Sequence, residues 1–194
     1  MQTQPPDQPG SMVPFLTPIT RPTRGAMRIV YFFVRRQFGK VVTPLSVFAV
    51  RMPLRFAAVY ARISKLDKKL VLPARTAHLI REQVASINQC HFCMDIGRLY
   101  ATAEHPEEAA RLDALGQYAS SELFAPAERA ALDFATELTR DRAVRKETFD
   151  ALTGYFSERE ICDIVWLVAS EHLYNLTNIG LNVGSDGLCA LRPR

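Results

Sequence analysis

The chain has 194 residues, 48% of them apolar, which is enough to bury one sizeable core and favours one domain over two. Its four cysteines are too few for a disulfide-stapled secreted scaffold, and its start lacks the apolar region of a signal peptide. We therefore expect a reducing, cytoplasmic setting. The longest apolar run, Ile29 to Val34, is far too short for a membrane-spanning helix.

The charge is unevenly distributed along the chain. Residues 1–75 carry a net charge of +11 and residues 76–194 one of −7, within an overall charge of +4. A basic half can meet nucleic acid or an anionic lipid surface, or it can complement the acidic half within one molecule or between subunits. No nucleic-acid-binding motif accompanies the charge, so we predict no nucleic-acid partner and do not favour a membrane-surface role.

The first 26 residues differ from the rest of the chain. Six prolines and few periodic apolar positions predict that residues 1–26 form a flexible tail outside the core. Residues 27–194 are predicted to form one all-α domain. Its first helix is basic and amphipathic, covers Arg28–Phe38 and ends at Gly39. The apolar stripe of this helix is formed by Ile29, Phe32 and Phe33.

Helical apolar spacing continues through the chain, and no stretch alternates with the period of a strand. Thr43-Pro44 is typical of a helix start, and Ser157 with Glu160 resembles a capping box. Seven to nine helices are expected, which places the chain in the all-α class. After the first helix, the pattern predicts helices over residues 43–63 with a break at Pro53, 74–88, 90–102, 106–115, 126–138, 148–155 and 158–177.

The most informative motif is Cys90-His91-Phe92-Cys93 at the start of a predicted helix. This spacing puts both sulfurs on one face of the first turn, where the helix dipole and free N–H groups stabilise a thiolate. A redox-active dithiol is the leading hypothesis. The alternatives are two buried cysteines without chemistry and a structural zinc site, which lacks a second ligand pair in this sequence.

A reactive thiol near neutral pH needs a group that takes up and returns a proton. His78, Glu82 and Ser86 follow one another at steps of four toward the cysteines, so their side chains share one helix face. His91 lies between the sulfurs and is another candidate base, whereas Asp95 would oppose thiol ionisation if it lay close. The alternative interpretation of the row is a solvated surface stripe.

The sequence does not assign a definite role to the other two cysteines or to the polar pair on the last long helix. Cys162 is expected in the core, and Cys189 near the end of the chain is either a reactive partner or a bystander. Glu171 and His172 on the last long helix face either the dithiol or the solvent.

Residues 81–101, REQVASINQCHFCMDIGRLYA, resemble the carboxymuconolactone decarboxylase and alkylhydroperoxidase D (AhpD) superfamily, in which an apolar helix leads into an Asn-Gly-Cys-x-x-Cys turn and a further helix. The resemblance extends over residues 39–189. It is supported by Leu72-Pro73, by PAERAALDFATELTRD (126–141) and by HLYNLTNIGLNVGSDGLC (172–189). Membership implies an AhpD-like helical bundle, here with residues 72–104 around the dithiol, that assembles into trimers or hexamers.

The resemblance also implies roles for the cysteines. In peroxidase members, the equivalent of Cys93 attacks a hydroperoxide and the equivalent of Cys90 resolves the product, although the helix dipole alone favours Cys90 as the attacking thiol. The family relay is a Glu at position 78 and a His at position 97. This chain has His78 and Gly97 there, so His78 or Glu82 would have to serve instead.

The sequence therefore predicts a thiol-dependent hydroperoxide reductase with antioxidant activity. Its candidate catalytic residues are Cys93, Cys90, His78, Glu82 and His91. We predict no cofactor and no metal, and as partners a small hydroperoxide, a thiol reductant and further copies of the chain. The alternatives are a non-catalytic helical oligomer or redox sensor that has lost the relay, and a binding protein that docks through its basic N-terminal region.

Overall fold

The computed structural model describes residues 12–67 and 69–190. These ranges contain nine α-helices and no β-strand, which confirms the predicted all-α class, and none of their helices is long and apolar enough to cross a bilayer. Three short 3-10 helices cover Ala49–Arg51, Leu115–Gln117 and Leu188–Ala190. The α-helices are α1 (Gly25–Phe38), α2 (Thr43–Val47), α3 (Leu54–Asp67), α4 (Ala74–Ile87), α5 (His91–Glu104), α6 (Glu108–Asp113), α7 (Pro126–Asp141), α8 (Lys146–Thr153) and α9 (Glu158–Ile179).

Local signals set several helix ends. Gly39 ends α1 in the left-handed conformation, with φ 73°, and its N–H bonds the Arg35 carbonyl. The predicted capping box of α9 is present, because the Glu160 carboxylate accepts from the Ser157 N–H and the Ser157 hydroxyl accepts from the Glu160 N–H. These contacts satisfy backbone groups that a helix leaves unpaired at its ends.

The centre of the domain is formed by α4, α7 and α9. Their facing side chains are almost completely removed from solvent, and each fully buried aliphatic side chain contributes about 1.5–3 kcal/mol. The shared cluster includes Ile80 and Val84 from α4, Ala131, Phe134 and Ala135 from α7, and Ile164, Leu167 and Val168 from α9. Because α5 packs directly on α4, the cysteine motif is attached to the most closely packed part of the fold.

The predicted apolar stripe of α1 does not pack against the rest of the domain. The predicted stripe of Ile29, Phe32 and Phe33 faces outward, with 61%, 63% and 61% of these residues exposed. The helix instead buries Met27, Tyr31 and Phe38. The reason is that α1 is apolar on two faces, and the Tyr31 hydroxyl, which donates to the Ile19 carbonyl over 2.7 Å, fixes the face that packs inward.

Residues 12–24, the second half of the segment predicted as a tail, run along the helical domain. The Phe15 N–H donates to the Leu181 carbonyl over 3.0 Å, and the Arg51 guanidinium donates to the Thr17 carbonyl over 2.7 Å. These contacts tie the segment to both α9's end and the α2 region. Residues 1–11 lie outside the described residues, so for them the tail stays a prediction.

The C-terminal loop is held by the buried Asp95 carboxylate on α5. Its oxygens accept hydrogen bonds from the Ser185 hydroxyl and from the N–H groups of Asp186, Leu188 and Cys189, at 2.6–2.9 Å. Burial raises the pKa of Asp95, but the bonds from Cys189, Leu188 and Ser185 outweigh it, and the pKa lies below its ordinary value. Asp95 is therefore a structural anchor rather than part of the thiol chemistry.

Replacing Asp95 with alanine should lower the free energy of unfolding by about 2–4 kcal/mol, because four donors lose a charged acceptor. The effect is measured by urea unfolding. Because the pKa of the folded state is depressed, the Asp95 contribution is present above the pKa of the unfolded chain and is lost as pH falls through the folded-state pKa.

The matched control for Asp95 is Asp113→Ala, which removes an exposed carboxylate that pairs with Arg98. This change should cost much less than Asp95→Ala, because water and salt screen an exposed ion pair. Equal effects of the two substitutions at neutral pH would contradict the anchoring role.

Candidate active site

The connection between α4 and α5 places the cysteines. α4 ends at Asn88, Gln89 adopts a left-handed conformation with φ 56°, and Cys90 is the N-cap of α5. The Cys90 N–H donates to the Ala85 carbonyl over 2.9 Å, which folds the turn back on α4. The motif that the sequence resembles has glycine at this position, and Gln89 costs more in this conformation than glycine would.

Cys90 and Cys93 are joined by a disulfide, with 5.2 Å between their Cα atoms. Both residues are buried, with 1% and 6% of their surfaces exposed. They pack against Ala85 and the partly buried Met94. The two sulfurs are therefore close enough to form a disulfide, and Cys93 is the more exposed residue of the pair.

Glu82 lies beside α5 in a space that exists because residue 97 is glycine. A Cβ atom at position 97 would overlap the Glu82 Oε1 atom. Gly97 is one helical turn after Cys93, on the same face of α5. The carboxyl of Glu82 thus occupies the neighbourhood where the family resemblance places a histidine side chain.

The surroundings of Glu82 favour its protonated form. Burial raises its pKa well above the ordinary value, the negative charge of Glu171 raises it further, and the Arg98 guanidinium opposes both only in part. Only 7% of Glu82 is exposed. A buried carboxyl group with a raised pKa keeps its proton to a higher pH than a solvated one, and it can donate that proton to a leaving oxygen.

Helix α9 contributes buried polar side chains that sequence reasoning did not assign to the site. Asn178 donates from Nδ2 to Cys93 Sγ over 3.4 Å and to Cys90 Sγ over 3.9 Å. One turn earlier, the Asn175 amide donates to the Glu171 carboxylate over 2.7 Å. Residues 171, 175 and 178 follow helical spacing on one face of an otherwise apolar helix, and this pattern was the available signal.

The buried polar side chains of α9 also contact residues of α4 and of the turn that follows it. Arg81 pairs with Glu171 over 3.0 Å and with Asp67 over 2.9 Å. The Asn88 amide nitrogen lies 2.8 Å from Asn175 Oδ1 and 3.1 Å from His172 Nδ1. Glu171 and His172, which the sequence left between dithiol and solvent, thus belong to a network that reaches the turn before Cys90.

The other two candidate bases are less buried than Glu82. His78 is half-buried, and its pKa is lowered by burial and by the positive charge of Arg81, with Glu108 opposing. Arg81 lies one turn further along α4, and Glu108 is the first residue of α6. His91 is half-buried as the first residue of α5. Glu82 is the candidate base whose carboxyl the structure sets against the cysteine-bearing helix.

The two remaining cysteines are free. Cys162 is exposed, and the expectation that it lies in the core is wrong, because it falls on the outer face of α9. Cys189 is also an exposed residue. Partial burial of its thiol raises the thiol pKa, and the Asp95 carboxylate raises it further. In the described ranges, no group of three His, Cys, Asp or Glu side chains is arranged to hold a metal ion.

This helical arrangement, with a Cys-x-x-Cys motif opening α5, is the AhpD-like fold. An alkylhydroperoxidase AhpD core, the uncharacterized peroxidase-related protein from Ralstonia eutropha JMP134, superposes with a TM-score of 0.74. The match covers 92% of this chain and 97% of that one at 20% identity. The likeness confirms the predicted AhpD-like helical fold.

Two further proteins are similar to this chain, one in structure and one in sequence. The debrominase Bmp8 superposes with a TM-score of 0.75 over 90% of this chain and 94% of Bmp8, at 21% identity. In sequence, the uncharacterized protein YnjA of Escherichia coli (strain K12) is 27% identical over 163 residues, which cover 81% of this chain and 86% of YnjA. No protein-family profile matches the sequence.

Proposed function

We propose that this protein reduces small hydroperoxides to alcohols through a Cys90–Cys93 dithiol and disulfide cycle. The observation that carries the proposal is the pair of joined sulfurs at the start of α5, with the carboxyl of Glu82 one turn along the same helix face. The peroxidase-related name of the Ralstonia neighbour points the same way. A non-catalytic redox sensor would need the disulfide but no proton donor beside it.

The proposed cycle starts from the reduced pair. The Cys93 thiolate attacks the terminal oxygen of the hydroperoxide, the O–O bond breaks, and the alcohol leaves with a proton from Glu82. Cys93 is then a sulfenic acid, which the Cys90 thiol attacks to form the disulfide while water leaves. A dithiol reductant restores both thiols by exchange and is itself oxidised to a disulfide.

The burial of the sulfurs bears on substrate size. With Cys93 exposed by only 6% and Cys90 by 1%, little of the attacking residue is accessible to a peroxide. We therefore propose that hydrogen peroxide and tert-butyl hydroperoxide react faster than bulkier hydroperoxides. The protein is also expected to act as a homo-oligomer, and its assembly into trimers or hexamers stays a prediction.

Steady-state assay of peroxide consumption tests the function. A Cys162→Ser, Cys189→Ser protein retains only the site thiols, and with dithiothreitol as reductant it should consume hydrogen peroxide and tert-butyl hydroperoxide over many turnovers. Cumene hydroperoxide should react more slowly. No consumption above the rate of dithiothreitol alone would contradict the proposal.

A ligand of the structural neighbour Bmp8 serves as a substrate for comparison. One Bmp8 structure holds 2,3,4-tribromopyrrole bound to a variant in which a cysteine is replaced by alanine. The same assay with 2,3,4-tribromopyrrole in place of peroxide therefore separates the two chemistries. Faster release of bromide than consumption of any hydroperoxide would overturn the peroxidase proposal in favour of reductive dehalogenation.

A further inference from the structure

Asn178 touches both sulfurs from the opposite helix. Its side chain is 6% exposed, and its amide nitrogen lies 3.4 Å from Cys93 Sγ and 3.9 Å from Cys90 Sγ. Neither the cysteine motif nor the family relay involves this residue. The two distances are unequal, so the donor favours one sulfur over the other.

We infer that Asn178 is a catalytic residue that stabilises Cys93 as the attacking thiolate by donating a hydrogen bond to its sulfur. The inference deepens the proposed function, because it names the group that decides which cysteine ionises. A sulfur in a disulfide is a weak acceptor, whereas a thiolate carries a full negative charge. The same amide therefore interacts more strongly with the reduced site than with the oxidised one.

The position of the amide is supported along α9. Asn178 lies one turn beyond Asn175, which is fully buried and bonded to Glu171 and Asn88. Because this row packs against α4 and the turn before Cys90, the donor is already in place before a thiolate forms. A preorganised donor in a dry site acts more strongly than one that must reorient from water.

The inference is tested by titrating the thiols of the reduced protein. Asn178→Leu keeps the size but removes the donor, and it should raise the pKa of the Cys93 thiol by about one to two units, the value of a hydrogen bond to a charged group. Asn178→Asp should raise the pKa further, because a carboxylate repels the thiolate. Thiolate absorbance is followed against pH in a Cys90→Ser, Cys162→Ser, Cys189→Ser background, which leaves Cys93 as the only thiol.

The reduction potential gives a second readout that does not depend on peroxide. At a pH above the thiol pKa, loss of the donor disfavours the reduced state, so the potential of the Cys90–Cys93 pair in Asn178→Leu should fall by about 30–60 mV, which corresponds to a 10- to 100-fold change. The control is Ser170→Ala, whose buried hydroxyl bonds only the Leu167 carbonyl in the described structure. It should leave both values unchanged.

The outcomes separate this inference from the proposed function. An unchanged Cys93 pKa in both Asn178 variants, or equal shifts in Ser170→Ala, would overturn the role of Asn178 even if peroxide is still reduced. A shifted pKa with no peroxide consumption would support the donor and contradict the peroxidase. Folding of each variant is checked by urea unfolding, and Asn178→Ala, which also lacks a donor, serves as a smaller replacement if the leucine variant does not fold.

Discussion

Replacing Glu82 with glutamine should lower the rate of peroxide reduction by about 100-fold or more, the usual contribution of a positioned general acid. The substitution keeps the shape of the side chain in the space left by Gly97 but removes the proton that the leaving alkoxide needs. The rate of Cys93 oxidation at saturating peroxide, followed by rapid quench and mass spectrometry, measures the effect.

The rate of peroxide reduction should depend on pH in a defined direction. Because burial and Glu171 raise the pKa of Glu82, the wild-type rate should fall as pH rises through that pKa, and this limb should be absent in Glu82→Gln. The raised pKa of Glu82 also affects the stability of the fold. Because the pKa is higher in the folded than in the unfolded state, the protein loses stability as pH rises through the folded-state pKa. Glu82→Gln should therefore be more stable than wild type at high pH.

A rescue experiment serves as the control for Glu82. Gly97→Ala adds a methyl group that overlaps the Glu82 carboxyl, and we expect it to slow the reaction although both cysteines are intact. Glu82→Ala combined with Gly97→His should recover part of the lost rate, because it places an imidazole where the family carries its relay. Wild-type rates in Glu82→Gln across the pH range would exclude Glu82 as the acid.

The two cysteine substitutions should have different effects. Cys93→Ser should abolish reaction with peroxide, a loss of about 1,000-fold or more, because the attacking sulfur is removed. Cys90→Ser should still react once and then stop, with a sulfenic acid on Cys93 that dimedone traps. The asymmetry follows from the hydrogen bond of Asn178, which is shorter to Cys93 than to Cys90.

The controls for these variants are Cys162→Ser and Cys189→Ser. Both thiols are exposed and unpaired, and Cys189 has a raised pKa, so neither substitution should change the turnover. Trapping of a sulfenic acid on Cys90 in the Cys93→Ser protein, with none on Cys93 in Cys90→Ser, would reverse the assigned order.

Most of the fold was predictable because local signals and apolar periodicity agree. The Ser157 and Glu160 capping box, the glycine stop of α1 and the break at Pro53 all depend on neighbours in sequence, and each lies where expected. The orientation of α1 was not predictable. That helix is apolar on two faces, and only the tertiary contact of Tyr31 with Ile19 decides which face is buried.

The site was predictable in part for the same reason. The cysteine pair is a local motif, but the relation between Glu82 and Gly97 joins two helices. A single sequence does not show that one residue fills the space left by the other. Asn175 and Asn178 were missed because the Asn88 amide and the two sulfurs that they contact lie far away in the sequence. Amides at helical spacing in an apolar helix are the signal that would have pointed to them.

The most direct test of the proposed chemistry is a single turnover. Reduced wild-type protein is mixed with one equivalent of tert-butyl hydroperoxide, and thiols, disulfides and tert-butanol are quantified over time. We predict that one equivalent of alcohol appears within seconds as both Cys90 and Cys93 lose their thiols to a shared disulfide. Thiols that persist on both residues for hours, or oxidation confined to Cys162 and Cys189, would contradict a peroxidase site at the start of α5.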